Sequence, residues 1–280
     1  MKVRTALGCS SFEELRKDAR VYIDKTAFIA RLLRVYDASL PYGGAAPKIS
    51  LITRPRRFGK TLLLSTLEAF FDISKDSASL FEGLEITRYR ALCLNWMNQY
   101  PVIVISFRGM IKHTYSENLN EFYQNVVIPL LERNQDSLCD PRLFIVYREY
   151  FDSLIRMGGL PYPERAYEEL RFFLKNLLHA LYSYYGKKVI VLIDEYDVPL
   201  ASAQKHAFYD SMLSFMRSLL SCLKDNQELN FAVLTGCLCL SKESMFTGLN
   251  NFNNFWPEVS TFCKVEMNGP RLIKTGDIVK

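Results

Sequence analysis

The chain has 280 residues, 49% of them hydrophobic and 23% charged, with a formal net charge of +5. That composition suits a folded protein with a sizeable core and excludes disorder as the main theme. So mild a charge is compatible with a nucleotide or nucleic-acid partner but argues for neither, because phosphate-dominated domains concentrate a basic face.

Cysteine usage points the same way as composition. The seven cysteines are an odd number with no C-x-x-C pair, and Cys237 and Cys239 have no histidine nearby. Neither a zinc site nor a disulfide framework is expected, and a reducing cytoplasm is the simplest setting. The apolar stretch before Cys9 is too short for a signal peptide, and charged residues follow from Glu13. No apolar run approaches the length of a membrane span, so no membrane partner is expected.

In chain order, Ser11 to Leu15 predicts a short helix with Ser11 as N-cap and Glu14 in the capping-box position. Tyr22-Ile23 is a brief extended piece. A second helix follows from Lys25 to about Tyr36, with Ile29, Leu32 and Leu33 on one face. Pro41 to Gly44 reads as a loop. Residues 48–53 (KISLIT) form a compact apolar strand that runs into an arginine-rich loop, and 61–71 (TLLLSTLEAFF) a strongly apolar helix. Further continuous apolar runs at 102–107, 188–193 and 231–235 read as strands buried on both faces, as in parallel α/β sheets. Helical patterns at about 117–133, 142–156 and 163–185 separate the second strand from the third. They are too long for one crossover and predict a helical insertion at about 108–187. Another helix runs from Phe208 to about Lys224.

Strand, loop and helix around residues 54–61 is the order that a phosphate-binding loop requires. The usual pattern is G-x-x-x-x-G-K-[ST], in which glycines let backbone N–H groups approach phosphates, the lysine reaches the outer phosphates and the hydroxyl binds magnesium. Gly59-Lys60-Thr61 supplies the second half, after Arg57 and Phe58, while Arg54 stands where the first glycine belongs. The helix that follows adds its dipole and free N–H groups. Arg54, Arg56 and Arg57 either add charge at the phosphates or face solvent. The third strand ends in Asp194-Glu195. An aspartate there holds magnesium, and a glutamate beside it orients the attacking water. Asp197 either supports the pair or caps the next element. His113, His179 and His206 share no spacing and read as surface or packing residues.

The segments Tyr22-Ile23-Asp24-Lys25-Thr26, Thr53 to Thr61, Leu192 to Asp197, Leu234-Thr235-Gly236 and Ser241 to Asn251 resemble the bacterial AAA-ATPase-like family. The likeness spans most of residues 1–252, leaving 253–280 as a divergent tail, and the arginine at the first glycine position is a habit of that family. The resemblance implies an α/β fold with an additional-strand P-loop ATPase core: a mainly parallel sheet flanked by helices, using ATP and Mg2+. It implies Thr61 and Asp194 at the metal and Glu195 and Thr235 in catalysis, Thr235 as a γ-phosphate sensor. It also implies Asp24 and Lys25, with Arg54 to Thr61, near the nucleotide. Helix capping explains Asp24 as well, and a threonine ending a strand is often just a strand residue. Relatives typically carry an arginine where this chain has Cys239, and many continue into a nuclease-like domain whose pattern does not follow here. Three functions remain open: an ATPase switch, a non-hydrolysing nucleotide-binding module that recruits an unknown protein partner, and a nucleic-acid-associated component of a defence or mobile-element system. The last rests on analogy alone.

Overall fold

The computed structural model describes residues 9–18, 22–36, 48–157, 168–224, 226–237 and 252–254. Five strands are described: β1 (Ile49–Thr53), β2 (Val102–Ser106), β3 (Val189–Asp194), β4 (Leu229–Gly236) and the short β5 (Phe252–Asn254). They form one sheet in the order β2-β3-β4-β1-β5, and every pairing is parallel. The fold is therefore α/β with a P-loop-like parallel sheet. β4 lies between the strand that leads into the Gly-Lys-Thr loop and the strand that ends in the acid pair. The resemblance implied this interposed strand, and it decides the site. Register pairs Thr53 with Gly236 and Ser106 with Asp194, so the carboxyl ends of four strands finish along one edge.

The apolar runs behave as fully buried strands should. Every residue of β3 is buried, and successive side chains feed opposite faces. Val189, Val191 and Ile193 enter one core with Phe122, Leu177 and Phe215, whereas Ile190 and Leu192 enter the other with Phe70, Phe71 and Phe231. The second core is covered by α1 (Phe12–Lys17), α2 (Ala27–Tyr36), α3 (Lys60–Phe71) and α4 (Arg90–Trp96). α1 begins at Ser11, whose hydroxyl accepts the Glu14 N–H at 3.3 Å, which satisfies one of the orphan donors of the first turn.

The first core is covered by helices lying between β2 and β3 in the chain, together with the helices that follow β3. The former are α5 (Tyr115–Phe122), α6 (Ile128–Arg133), α7 (Gln135–Leu138), α8 (Ile145–Arg156) and α9 (Phe173–Tyr185). A π-helical segment, Tyr123–Val127, joins α5 to α6. Sequence supplies the cause: Pro129 has no N–H to give back along the helix, and a widened turn before it accommodates the loss. After β3 come α10 (Val198–Lys205) and α11 (Tyr209–Leu220), the latter burying Met212, Phe215, Met216, Leu219 and Leu220. Among the described residues no helix is long and apolar enough to cross a membrane.

Candidate functional site

The loop between β1 and α3 is held at its base by the sheet. Arg54 N–H donates to the Gly236 carbonyl at 3.0 Å, and Arg54 itself is buried, at 7% exposure. The residue that replaces the first glycine thus belongs to the wall of the fold, while Arg56, Arg57 and Phe58 are exposed at the loop's crest. Two residues of the crest take left-handed backbone, Arg57 at φ 70° and Gly59 at φ 74°. Gly59 adopts this without strain and starts α3 there. Among the described residues, a β-carbon on Gly59 would meet nothing within 4 Å.

Lys60 folds back onto that loop. Its ammonium donates to the Arg54 carbonyl at 2.8 Å and the Pro55 carbonyl at 3.0 Å, and lies 3.3 Å from Cys237 Sγ. These are neutral acceptors, which a polyphosphate can replace with stronger, charge-assisted bonds. Thr61, one residue into α3, donates from Oγ1 to Asp194 Oδ2 at 2.6 Å.

Asp194 is the hub. It is buried, at 4% exposure, and a carboxylate removed from water needs donors. Thr235 Oγ1 donates to its Oδ1 at 2.5 Å, and the Glu195 N–H donates to the same oxygen at 3.0 Å. The adjacent backbone is pinned from both sides, by Phe107 N–H to the Asp194 carbonyl at 3.1 Å and Tyr196 N–H to the Thr235 carbonyl at 3.2 Å. Thr61, Asp194 and Thr235, from three separate segments, are thereby in direct contact. This donor set fits magnesium, which dehydrates reluctantly and takes one or two protein oxygens beside phosphate and water. Thr61 and Asp194 are the residues that would hold it.

Glu195 sits half-buried just past the strand, at φ 55°. Left-handed backbone in a non-glycine residue costs on the order of 1 kcal/mol, and such strain collects at functional sites. Burial pushes its carboxyl above the ordinary carboxylate range, the Asp194 charge adds to the push, and Arg108 and Lys60 oppose it. Arg108 lies just beyond β2 in a loop whose sequence carries no motif, and only the sheet order reveals its proximity. Asp197 latches the far side by accepting the Cys237 N–H at 3.0 Å. Gly236 is required for that closeness: a β-carbon there would lie 2.5 Å from the Tyr196 ring and 2.7 Å from Asp197 Oδ1. Its signal in the sequence was a glycine directly after the β4 threonine.

The remaining candidates have other partners or fall outside the described residues. Asp24 Oδ1 accepts from Thr26 N–H at 2.8 Å and Thr26 Oγ1 at 2.6 Å, and its Oδ2 accepts from Glu85 N–H at 2.7 Å. Both oxygens are engaged in fixing the start of α2 to the 85–86 backbone, where Ile86 N–H also donates to Thr26 Oγ1 at 3.1 Å. That accounts for Asp24 without a nucleotide; Lys25 lies in the same turn. Cys239 and the segment 241–251 fall outside the described residues. His113 and His206 pack ring to ring at 4.7 Å, and His179 bonds Glu228 at 2.6 Å beneath Tyr147.

A lysine-bearing loop between a central parallel strand and a helix, facing a buried aspartate two strands away, defines a P-loop-like α/β protein. The chain belongs to the family described as "Predicted AAA-ATPase", which matches residues 6–246. Membership places it among predicted ATPases, a class that uses nucleotides. It is also 28% identical over 252 residues to an uncharacterized protein in the vnfD 5' region of Azotobacter chroococcum mcd 1. That alignment covers 89% of this chain and 40% of the relative, so the chain spans well under half of the relative's length. No solved structure matches it.

Proposed function

We propose that the chain binds magnesium ATP at the carboxyl edge of the sheet and hydrolyses it, as a nucleotide-dependent switch. The observation that carries this reading is Asp194, a buried carboxylate whose oxygens receive the Thr61 and Thr235 hydroxyls, with Lys60 on the loop that presents Thr61. A merely structural buried aspartate has no need of a lysine held by neutral carbonyls, a left-handed glycine crest and a strained glutamate around it.

The residues divide the work by their chemistry. Lys60 exchanges its loop carbonyls for the outer phosphates, and the N–H groups at the start of α3 receive phosphate oxygens. Magnesium held there would neutralise phosphate charge. Thr61 and Asp194 would hold that ion, and Thr235, which shares an Asp194 oxygen with the Glu195 backbone, would sense the γ-phosphate. Glu195 accepts a hydrogen bond from the attacking water and aims it. Its raised affinity for a proton suits it to take one from that water.

Steady-state phosphate release for wild type and Glu195→Gln tests the hydrolytic half. The variant is expected to lose on the order of a hundredfold or more in turnover while still binding ATP. Wild-type release at background, with ATP binding intact, would instead make the chain a nucleotide-binding module without turnover.

A further inference from the structure

The loop that leaves β2 is built more rigidly than its lack of motif suggests. Phe107 N–H is tied to the Asp194 carbonyl at 3.1 Å, and Met110 N–H returns to the Phe107 carbonyl at 3.0 Å. Asn118, fully buried, accepts from Lys112 N–H at 3.1 Å and donates to the carbonyls of Lys112 at 3.1 Å and Thr114 at 2.7 Å. The Glu121 carboxylate fills the space that a β-carbon on Gly109 would need, and it pairs with Lys112 at 3.2 Å. Both flanks are therefore fixed, and between them stands one exposed arginine, Arg108. Among the described residues its guanidinium is in no salt bridge.

The strand order gives this position its meaning. Arg108 leaves the end of β2, Glu195 the end of β3, and Lys60 follows β1 on the other side of β4. Ser106 pairs with Asp194 and Phe107 N–H binds the Asp194 carbonyl, so Arg108 and Glu195 each follow directly on paired strand ends, and both Arg108 and Lys60 act on Glu195 as nearby positive charges. A terminal phosphate gripped by Lys60 and faced by a water on Glu195 would lie at the same edge of the sheet that Arg108 borders. A guanidinium is suited to it, because its planar fork matches two phosphate oxygens and it never loses its charge.

We propose that Arg108 is a further residue of this site, contacting the terminal phosphate of a bound nucleoside triphosphate from within the same chain. The proposal rests on the nucleotide reading above. It adds a specificity: Arg108 distinguishes triphosphate from diphosphate, because only the triphosphate extends far enough to meet it. In turnover it stabilises charge on the terminal phosphoryl oxygens, a role in which arginine contributes on the order of a thousandfold.

The test is calorimetric titration of wild type, Arg108→Ala, Arg108→Lys and Lys60→Ala with ADP and with a non-hydrolysable ATP analogue, magnesium present. Arg108→Ala should weaken the analogue about tenfold or more, the loss of one charge-assisted contact, and leave ADP within about twofold. Arg108→Lys should recover part of the loss. An unchanged ratio of analogue to ADP affinity in Arg108→Ala overturns the proposal, and does so even if turnover falls, since Arg108 would then act only by positioning Glu195. Should Lys60→Ala weaken neither ligand, the nucleotide site itself is wrong. Should it weaken both while the Arg108→Ala ratio holds, only the arginine contact fails. Thermal unfolding of Arg108→Ala is expected to match wild type, because the side chain is exposed.

Discussion

Adding one methyl group at either of two glycines should separate folding from function. At Gly236 the new carbon would lie 2.5 Å from the Tyr196 ring and 2.7 Å from Asp197 Oδ1. Neither neighbour has room to yield, because Tyr196 is fully buried and Asp197 is at 4% exposure. Overpacking a tight site costs about 1–3 kcal/mol, and two rigid neighbours put Gly236→Ala near the upper end, about 3 kcal/mol. For a domain of this size each kcal/mol moves the midpoint by roughly 2 °C, so a fall of about 6 °C is expected. Gly59→Ala differs: among the described residues nothing lies within 4 Å, and its φ of 74° is what penalises a side chain, by about 1 kcal/mol. Its Tm should fall by roughly 2 °C, whereas its ATP affinity should fall at least about tenfold, since the methyl projects into the space in front of the loop. Differential scanning calorimetry and nucleotide titration on both variants provide the check. A Gly236→Ala midpoint within about 1 °C of wild type, or a Gly59→Ala that unfolds earlier than Gly236→Ala, would refute the reasoning.

Other outcomes follow from single residues. Glu195→Gly removes left-handed strain and a desolvated carboxylate. The midpoint should hold or rise, by up to about 1 kcal/mol of stability, while phosphate release is lost; a clear fall in Tm would show that the strain is illusory. Asn118→Ala removes a fully buried side chain that bonds the Lys112 N–H and the carbonyls of Lys112 and Thr114, and should cost about 1–2 kcal/mol in denaturant unfolding. Glu13 hydrogen-bonds Lys75 at 2.6 Å, tying α1 to the turn after α3. The Lys75 contact holds the Glu13 carboxyl below its ordinary value of 4.5. A lowered folded value means that the unfolded chain takes up the proton first, so this contribution is complete above pH 4.5 and fades as pH falls through the folded value. Screening at the surface keeps it under about 1 kcal/mol. Comparing the Tm of wild type and Lys75→Ala between pH 7 and pH 3 should show the gap narrowing in acid, and a constant gap would contradict the pairing.

The sequence revealed those features whose cause is local. β1, β2, β3 and β4 were readable because a strand covered on both faces must be apolar throughout. The order of Gly59, Lys60 and Thr61 after β1 was readable because a helix start and a lysine are contiguous. Strand order was not, since nothing local in 229–236 says that β4 inserts between β1 and β3; the family likeness alone implied it. The same non-locality hid Arg108, which becomes part of the site only through the pairing of Ser106 with Asp194. The Cys237 thiol beside Lys60 was hidden in the same way. Asp24 was ambiguous in sequence because its partner at Glu85 is 61 residues away. α4 and the 3-10 turns at 78–81 and 85–88 carry no signal in the sequence because they are shorter than the window over which helical periodicity shows. The π segment before Pro129 was absorbed into one long helix, as the apolar periodicity barely changes across it.

Isothermal titration of ATP with magnesium into wild type and Lys60→Ala tests the central claim most directly. Among the described residues the Lys60 ammonium bonds the Arg54 and Pro55 carbonyls and Cys237, so its removal should leave the Tm nearly unchanged. The account predicts saturable one-to-one binding by wild type and a loss of at least about a hundredfold, roughly 2.7 kcal/mol, in the variant. Equal affinity in the two proteins would contradict it.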